Sequence, residues 1–142
     1  MGFQADCRAA SVAFLADYAS EVGVKMQVYP GRPRSIMPPT GFVDLIRESL
    51  DHTTMLTARD VTVEMVVVHG IFDSKEAANQ KDGFTDGLID WSESRFHQAG
   101  ANTMCAIDST EDQPNYVPEW MPPERQLVYY ATRLTLEGLA LG

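Results

Sequence analysis

The run Val61-Thr62-Val63-Glu64-Met65-Val66-Val67-Val68-His69 constrains the fold more than any other stretch of this chain. It is dominated by β-branched residues, which fit a pleated strand better than a helix. Its first half alternates apolar and polar, so one face is buried. Its second half is apolar on both faces, so the strand must be covered twice. We expect a helix on one face and a neighbouring sheet or subunit on the other.

The segments around it supply the rest of a domain. Phe3, Cys7, Ala10, Phe14, Tyr18 and Val22 recur at spacings of three and four, with Leu15 widening the stripe. This predicts an amphipathic helix over 4–22, with Gly23 in the left-handed position that ends many helices. Val24 to Tyr29 alternates as a half-buried strand that Pro30 stops. A strand follows from Gly41 to about Leu50, with Val43 and Leu45 on one face and Phe42 and Ile46 on the other. Asp51 to Thr54 reads as a polar turn.

After the central strand, Asp73 and Ser74 can cap a helix, and Asp73 with Glu76 has capping-box spacing. The helix is expected over 74–98, with Phe84, Leu88, Trp91 and Arg95 in one stripe and Gly100 beyond its end. Thr103 to Ile107 reads as a short strand, and 108–124 as a long loop. Arg125 to Glu137 closes the chain as a strand. Val128, Tyr130, Thr132, Leu134 and Leu136 share one of its faces; Leu127, Tyr129, Ala131, Arg133 and Thr135 share the other. A short apolar tail follows. The fold class is α+β: a mainly antiparallel sheet with two helices packed on one face, in the order α-β-β-β-α-β-β. At 142 residues the chain is one domain, 1–142, large enough to bury a core unaided.

Charge and motif content narrow the function. The net charge is −9, and the basic residues are scattered apart from Arg32 and Arg34. Neither tight phosphate binding nor adhesion to an anionic membrane suits that balance. No secretory signal is expected, and no apolar run approaches the roughly 18 residues of a membrane span. The two Cys and three His are dispersed, which leaves no zinc framework; Cys7 and Cys105 read as buried thiols, with a pairing between them the alternative. Gly-rich phosphate loops, HExxH, CxxC and GxSxG are all missing, so no cofactor is implied. His69 with Asp73 has a spacing compatible with acid–base work, although a histidine closing a strand edge is the plainer reading. His52 and His97 read as solvated, His97 at a helix end. Asp108, Glu111 and Asp112 match no calcium loop and read as a solvated acidic cluster.

Two proline-rich stretches remain. Residues 30–39 and 108–124 hold all eight prolines together with Ile36, Met37, Tyr116, Trp120 and Met121. Such residue types are enriched at interfaces. The loops either cap their own sheet or reach a partner. Arg32, Arg34, Ile36 and Met37 are the first candidates for interface contacts, with Tyr116, Trp120 and Met121 behind them.

The whole pattern resembles the tail terminator (tail completion) proteins of long-tailed bacteriophages. The resemblance covers the element order over the full chain. It includes the arm Tyr29-Pro30-Gly31-Arg32-Pro33 leading through Pro38-Pro39 into Gly41-Phe42-Val43-Asp44. It includes Phe72-Asp73-Ser74-Lys75-Glu76 opening the second helix, and the closing strand Val128 to Glu137. The resemblance implies a structural virion protein, not an enzyme, present in the host cytoplasm during assembly. It implies a homo-hexameric ring on the top of the tail tube that stops tube polymerisation. The implied partners are the major tail protein and a head-completion protein of the neck, with DNA passing through the ring unbound. The alternatives are another neck or connector component, a small α+β enzyme using His69 with Asp73 or Glu76, and a small-molecule-binding module.

Overall fold

The computed structural model describes residues 3–51, 58–72, 75–93, 97–98 and 103–140. The chain is an α+β fold. Its order is α1 (Phe3–Glu21), β1 (Gln27–Tyr29), β2 (Thr40–Asp51), β3 (Ala58–Ile71), α2 (Lys75–Thr85), α3 (Leu88–Glu93), β4 (His97–Gln98), β5 (Thr103–Tyr116) and β6 (Tyr129–Ala140). The sheet order is β1-β2-β3-β6-β5-β4, antiparallel except where β1 runs parallel to β2. The long connection 30–39 permits that parallel pair, because a tight hairpin would force the strands antiparallel.

All three helices pack on one face of the sheet. Cys7, Ala10, Phe14, Leu15, Tyr18 and Ala19 of α1 are buried against Val43, Val61, Val63, Met65, Val67, Leu134 and Leu136. Gly23 takes φ +75° and turns the chain out of α1. Val22, expected on the buried stripe, stands 42% exposed beyond the helix end. The central strand β3 places Val61, Val63, Met65 and Val67 under the helices. Val66 and Val68 face the other way, with Phe42, Tyr129 and Ala131.

That second face is where one expectation changes. Where a neighbouring sheet or subunit was expected, the chain's own arm and late loop lie on it. Ile36 and Met121 are buried there, with Tyr29, Tyr116 and Trp120 packed around them. Trp120 meets Phe42 edge-on, with ring centroids 5.7 Å apart.

Other expectations are corrected by local physics. The helix expected over 74–98 is two helices, broken at Asp86–Gly87. The break follows two glycines in one helical stretch, each costing about 1 kcal/mol against alanine. It also lets Phe84 and Trp91 both reach Tyr18, at centroid distances of 4.9 and 5.2 Å. His97 therefore sits in β4 rather than at a helix end.

Residues 108–116 are strand, not loop: β5 runs unbroken to Tyr116 against β6. Register shifts there fall between Ile107 and Ser109 and between Gln113 and Tyr116, and Pro114 sits within the second. Proline is tolerated at such irregular places on outer strands. In β2 a bulge between Val43 and Leu45 reverses the alternation. Val43 and Ile46 therefore share the helix face, while Leu45 is 42% exposed. The alternation read for the last strand holds on both faces from Tyr129 onward, but 125–128 are not strand: Arg125 ends a 3-10 turn (Pro123–Arg125), and the strand runs from Tyr129 to Ala140 through part of the expected tail. Asp51, expected in a turn, ends β2; the rest of that turn at 52–54 with His52, the cap residues Asp73 and Ser74, Arg95 and Gly100 lie outside the described residues.

Candidate interaction surface

The arm is held by charge as well as by apolar contact. Asp44, at the β2 bulge, accepts from Arg32 Nε at 2.8 Å and from Arg133 Nη1 at 3.0 Å. Its side chain is 11% exposed, so this carboxylate lies between two guanidinium groups with little water about it. Arg8 on α1 donates to the Pro30 carbonyl, and Thr40 Oγ1 donates to the Met37 carbonyl at 2.5 Å. Arg32 is thus an anchor of the arm.

The sequence-derived candidates divide accordingly. Ile36 and Met121 are inside the protomer, and Tyr116 and Trp120 are half-buried beside them. Burial pushes the Tyr116 hydroxyl pKa up. Arg34 is exposed, and Met37 is 80% exposed. The chain brings Arg34, Ile36 and Met121 together around a cavity of about 280 Å³, with Arg125, Leu127 and Tyr129 on its other wall. Met37 lines a separate groove of about 480 Å³ with Lys25, Met26 and Pro38.

The exposed apolar residues are not spread evenly. Ile71 ends β3 and Phe72 follows it, and Leu127 and Val128 lead into β6. The Phe72 amide donates to the Val128 carbonyl at 2.9 Å, which ties the two pairs together. Ile71 is paired with Tyr129, and Val68 with Thr40, three residues from Met37. Met37, Ile71, Phe72, Leu127 and Val128 therefore gather at one end of the sheet, each at least 39% exposed. Exposed apolar side chains gathered at one end of a sheet suit an interaction site. The sequence reading singled out Met37 but missed the other four and Arg125. The available signal was two apolar pairs placed at strand ends, where neither sheet face needs them.

His69 lies elsewhere, on the helix face beneath Phe84 and beside Tyr130. Its Nε2 shares a 2.9 Å hydrogen bond with Thr132 Oγ1, and among the described residues Nδ1 has no partner. Burial lowers its pKa to about 4, and Lys81 adds to that, against the opposing pull of Asp112. Lys81 bonds Asp112 at 2.9 Å; that hydrogen bond holds the ammonium pKa above its ordinary range. Asp73 is outside the described residues, and Glu76 is exposed on α2. Among the described residues no group of three or more His, Cys, Asp or Glu is arranged to hold a metal ion. Among them, too, no helix is long and apolar enough to cross a membrane.

Neither a family model nor a curated protein sequence matches this chain.

Proposed function

We propose that this protein is a structural subunit of a tail-terminator-like ring, which caps a phage tail tube and joins it to the neck. The observation that carries the reading is the apolar end of the sheet, where five large side chains face solvent together. A monomer has little physical reason to keep them there. Burial would remove each from water at about 25 cal/mol per Å². The braced arm supports the same reading. Its anchors at Asp44, Pro30 and Thr40 leave little conformational entropy to lose when Met37 docks. The resemblance in element order supplies the identity of the assembly.

In this role the ring ends tube growth by occupying the surface that the next tube subunit would use. It presents its opposite surface to a head-completion protein, and DNA traverses the hole. The net charge of −9 suits a passage that must not retain DNA. The test is tube polymerisation from purified major tail protein. Adding this protein should halt elongation and place it on one tube end. Tubes that grow to unlimited length, with no protein on their ends, would refute the reading.

A further inference from the structure

Charge is segregated on this molecule. Residues 81–90 and 108–112 carry Asp82, Asp86, Asp90, Asp108, Glu111 and Asp112, all exposed, against the single cation Lys81. The Lys81–Asp112 ion pair and the packing of α3 on β5 join them into one acidic ridge beside β5. From Ala106 onward, the side of β5 away from β6 carries no paired strand among the described residues, because β4 pairs only with Met104 and Cys105. The apolar end of the sheet has the opposite character. Arg34 and Arg125 line its cavity beside Glu124, both are exposed, and neither has an ion-pair partner among the described residues.

We propose that the arginine-rimmed apolar end of one copy docks on the acidic ridge of a second copy. Two chains of net charge −9 repel on average, so association depends on the orientation that sets bare cations against carboxylates. Guanidinium groups pair with carboxylates in bidentate geometry, and Ile71, Phe72 and Leu127 leave water as the pairs form. Neither patch complements itself. The arginine end and the acidic ridge lie on different parts of the molecule, so every copy offers both halves of the contact. Repeated head-to-tail, the contact generates a ring where the rotation closes. The surfaces are read from charge and exposure alone; only ring closure rests on the terminator reading.

Charge reversal tests this. One variant carries Arg34→Glu with Arg125→Glu, and the other carries Asp86→Lys with Asp108→Lys. All four sites are exposed, and circular dichroism melts check folding. The single changes Arg125→Glu and Asp108→Lys serve if a double variant is unstable. Association is followed by sedimentation velocity, alone and with purified tail tube. Each variant by itself should associate at least about tenfold more weakly than the native chain. An equimolar mixture should recover, because each partner then offers the charge the other lost.

A native chain that assembles, with variants that assemble equally well or a mixture that does not recover, overturns this contact and leaves the ring reading standing. The ridge would then only guard an open strand edge against indiscriminate pairing. Recovery in the mixture with open chains instead of rings upholds the contact and refutes the ring. A native chain that stays monomeric with and without tube refutes both.

Discussion

Arg133 donates from Nη1 to Oδ2 of Asp44 at 3.0 Å, joining residues 89 positions apart across the strand that separates β6 from β2. Arg32 binds the other oxygen of the same carboxylate. The bulge in β2 makes this possible by shifting the register at Asp44. One local irregularity thus fixes the arm over the sheet, and the arm positions Met37 at the apolar end.

Asp44→Ala leaves Arg133, whose side chain is only 20% exposed, without its carboxylate. We expect a loss of about 2 kcal/mol, since removing one partner of a poorly solvated pair strands the other charge. Arg32→Ala should cost less than about 1 kcal/mol, because that side chain is half exposed. Urea midpoints measure both.

The cap on the second sheet face should be stabilising in its own right. Ile36→Ala removes a side chain buried against Val66, Val68 and Met121 and should cost about 2 kcal/mol. By contrast, Arg34→Glu with Met37→Asp alters only exposed groups. Its stability should stay within about 0.5 kcal/mol of the native chain, while its assembly weakens. An unchanged assembly mass for that variant would remove the arm from the interface.

At Gly70 the helix α2 approaches the sheet closely. A Cβ there would lie 2.8 Å from the Ala77 Cβ and 3.2 Å from its Cα, which is backbone and cannot give way cheaply. Gly70→Val should destabilise by about 1–3 kcal/mol in thermal melts.

His69 makes stability depend on pH in a definite direction. Its folded pKa, about 4, lies below the unfolded value near 6.5. Between those values the unfolded chain binds a proton that the folded chain does not. Stability is therefore complete above about pH 6.5 and falls as pH drops toward 4. His69→Gln should reduce the loss between pH 7.5 and 5.5 by about 1 kcal/mol, seen in denaturant midpoints at the two pH values.

Much of this fold is legible in the sequence, and the failures have causes. The stripe Cys7–Ala10–Phe14–Tyr18 and the alternation through Tyr129–Leu136 are set by burial on known faces, so periodicity finds them. The β2 bulge is invisible to periodicity, because Asp44 is polar for its ion pairs and gives no sign that the register slips. Residues 108–112 read as loop because their side chains are solvated. Their strand state comes from backbone pairing with β6 and from cross-strand neighbours such as Glu111 and Arg133. The split of the second helix at Gly87 joins the local weakness of two glycines, which the sequence displays, to ring packing around Tyr18, which it does not. The candidate surface was half legible. Met37 and Arg34 stood out within a proline-braced arm, whereas Ile71, Phe72, Leu127 and Val128 resembled ordinary strand ends.

We propose that this chain closes into a ring for which the tail tube is the template. Native mass spectrometry with purified tail tube, and without it, tests that most directly. The account predicts a closed hexamer, either free or recovered from tube ends. A monomer that leaves the tube untouched under both conditions would contradict it.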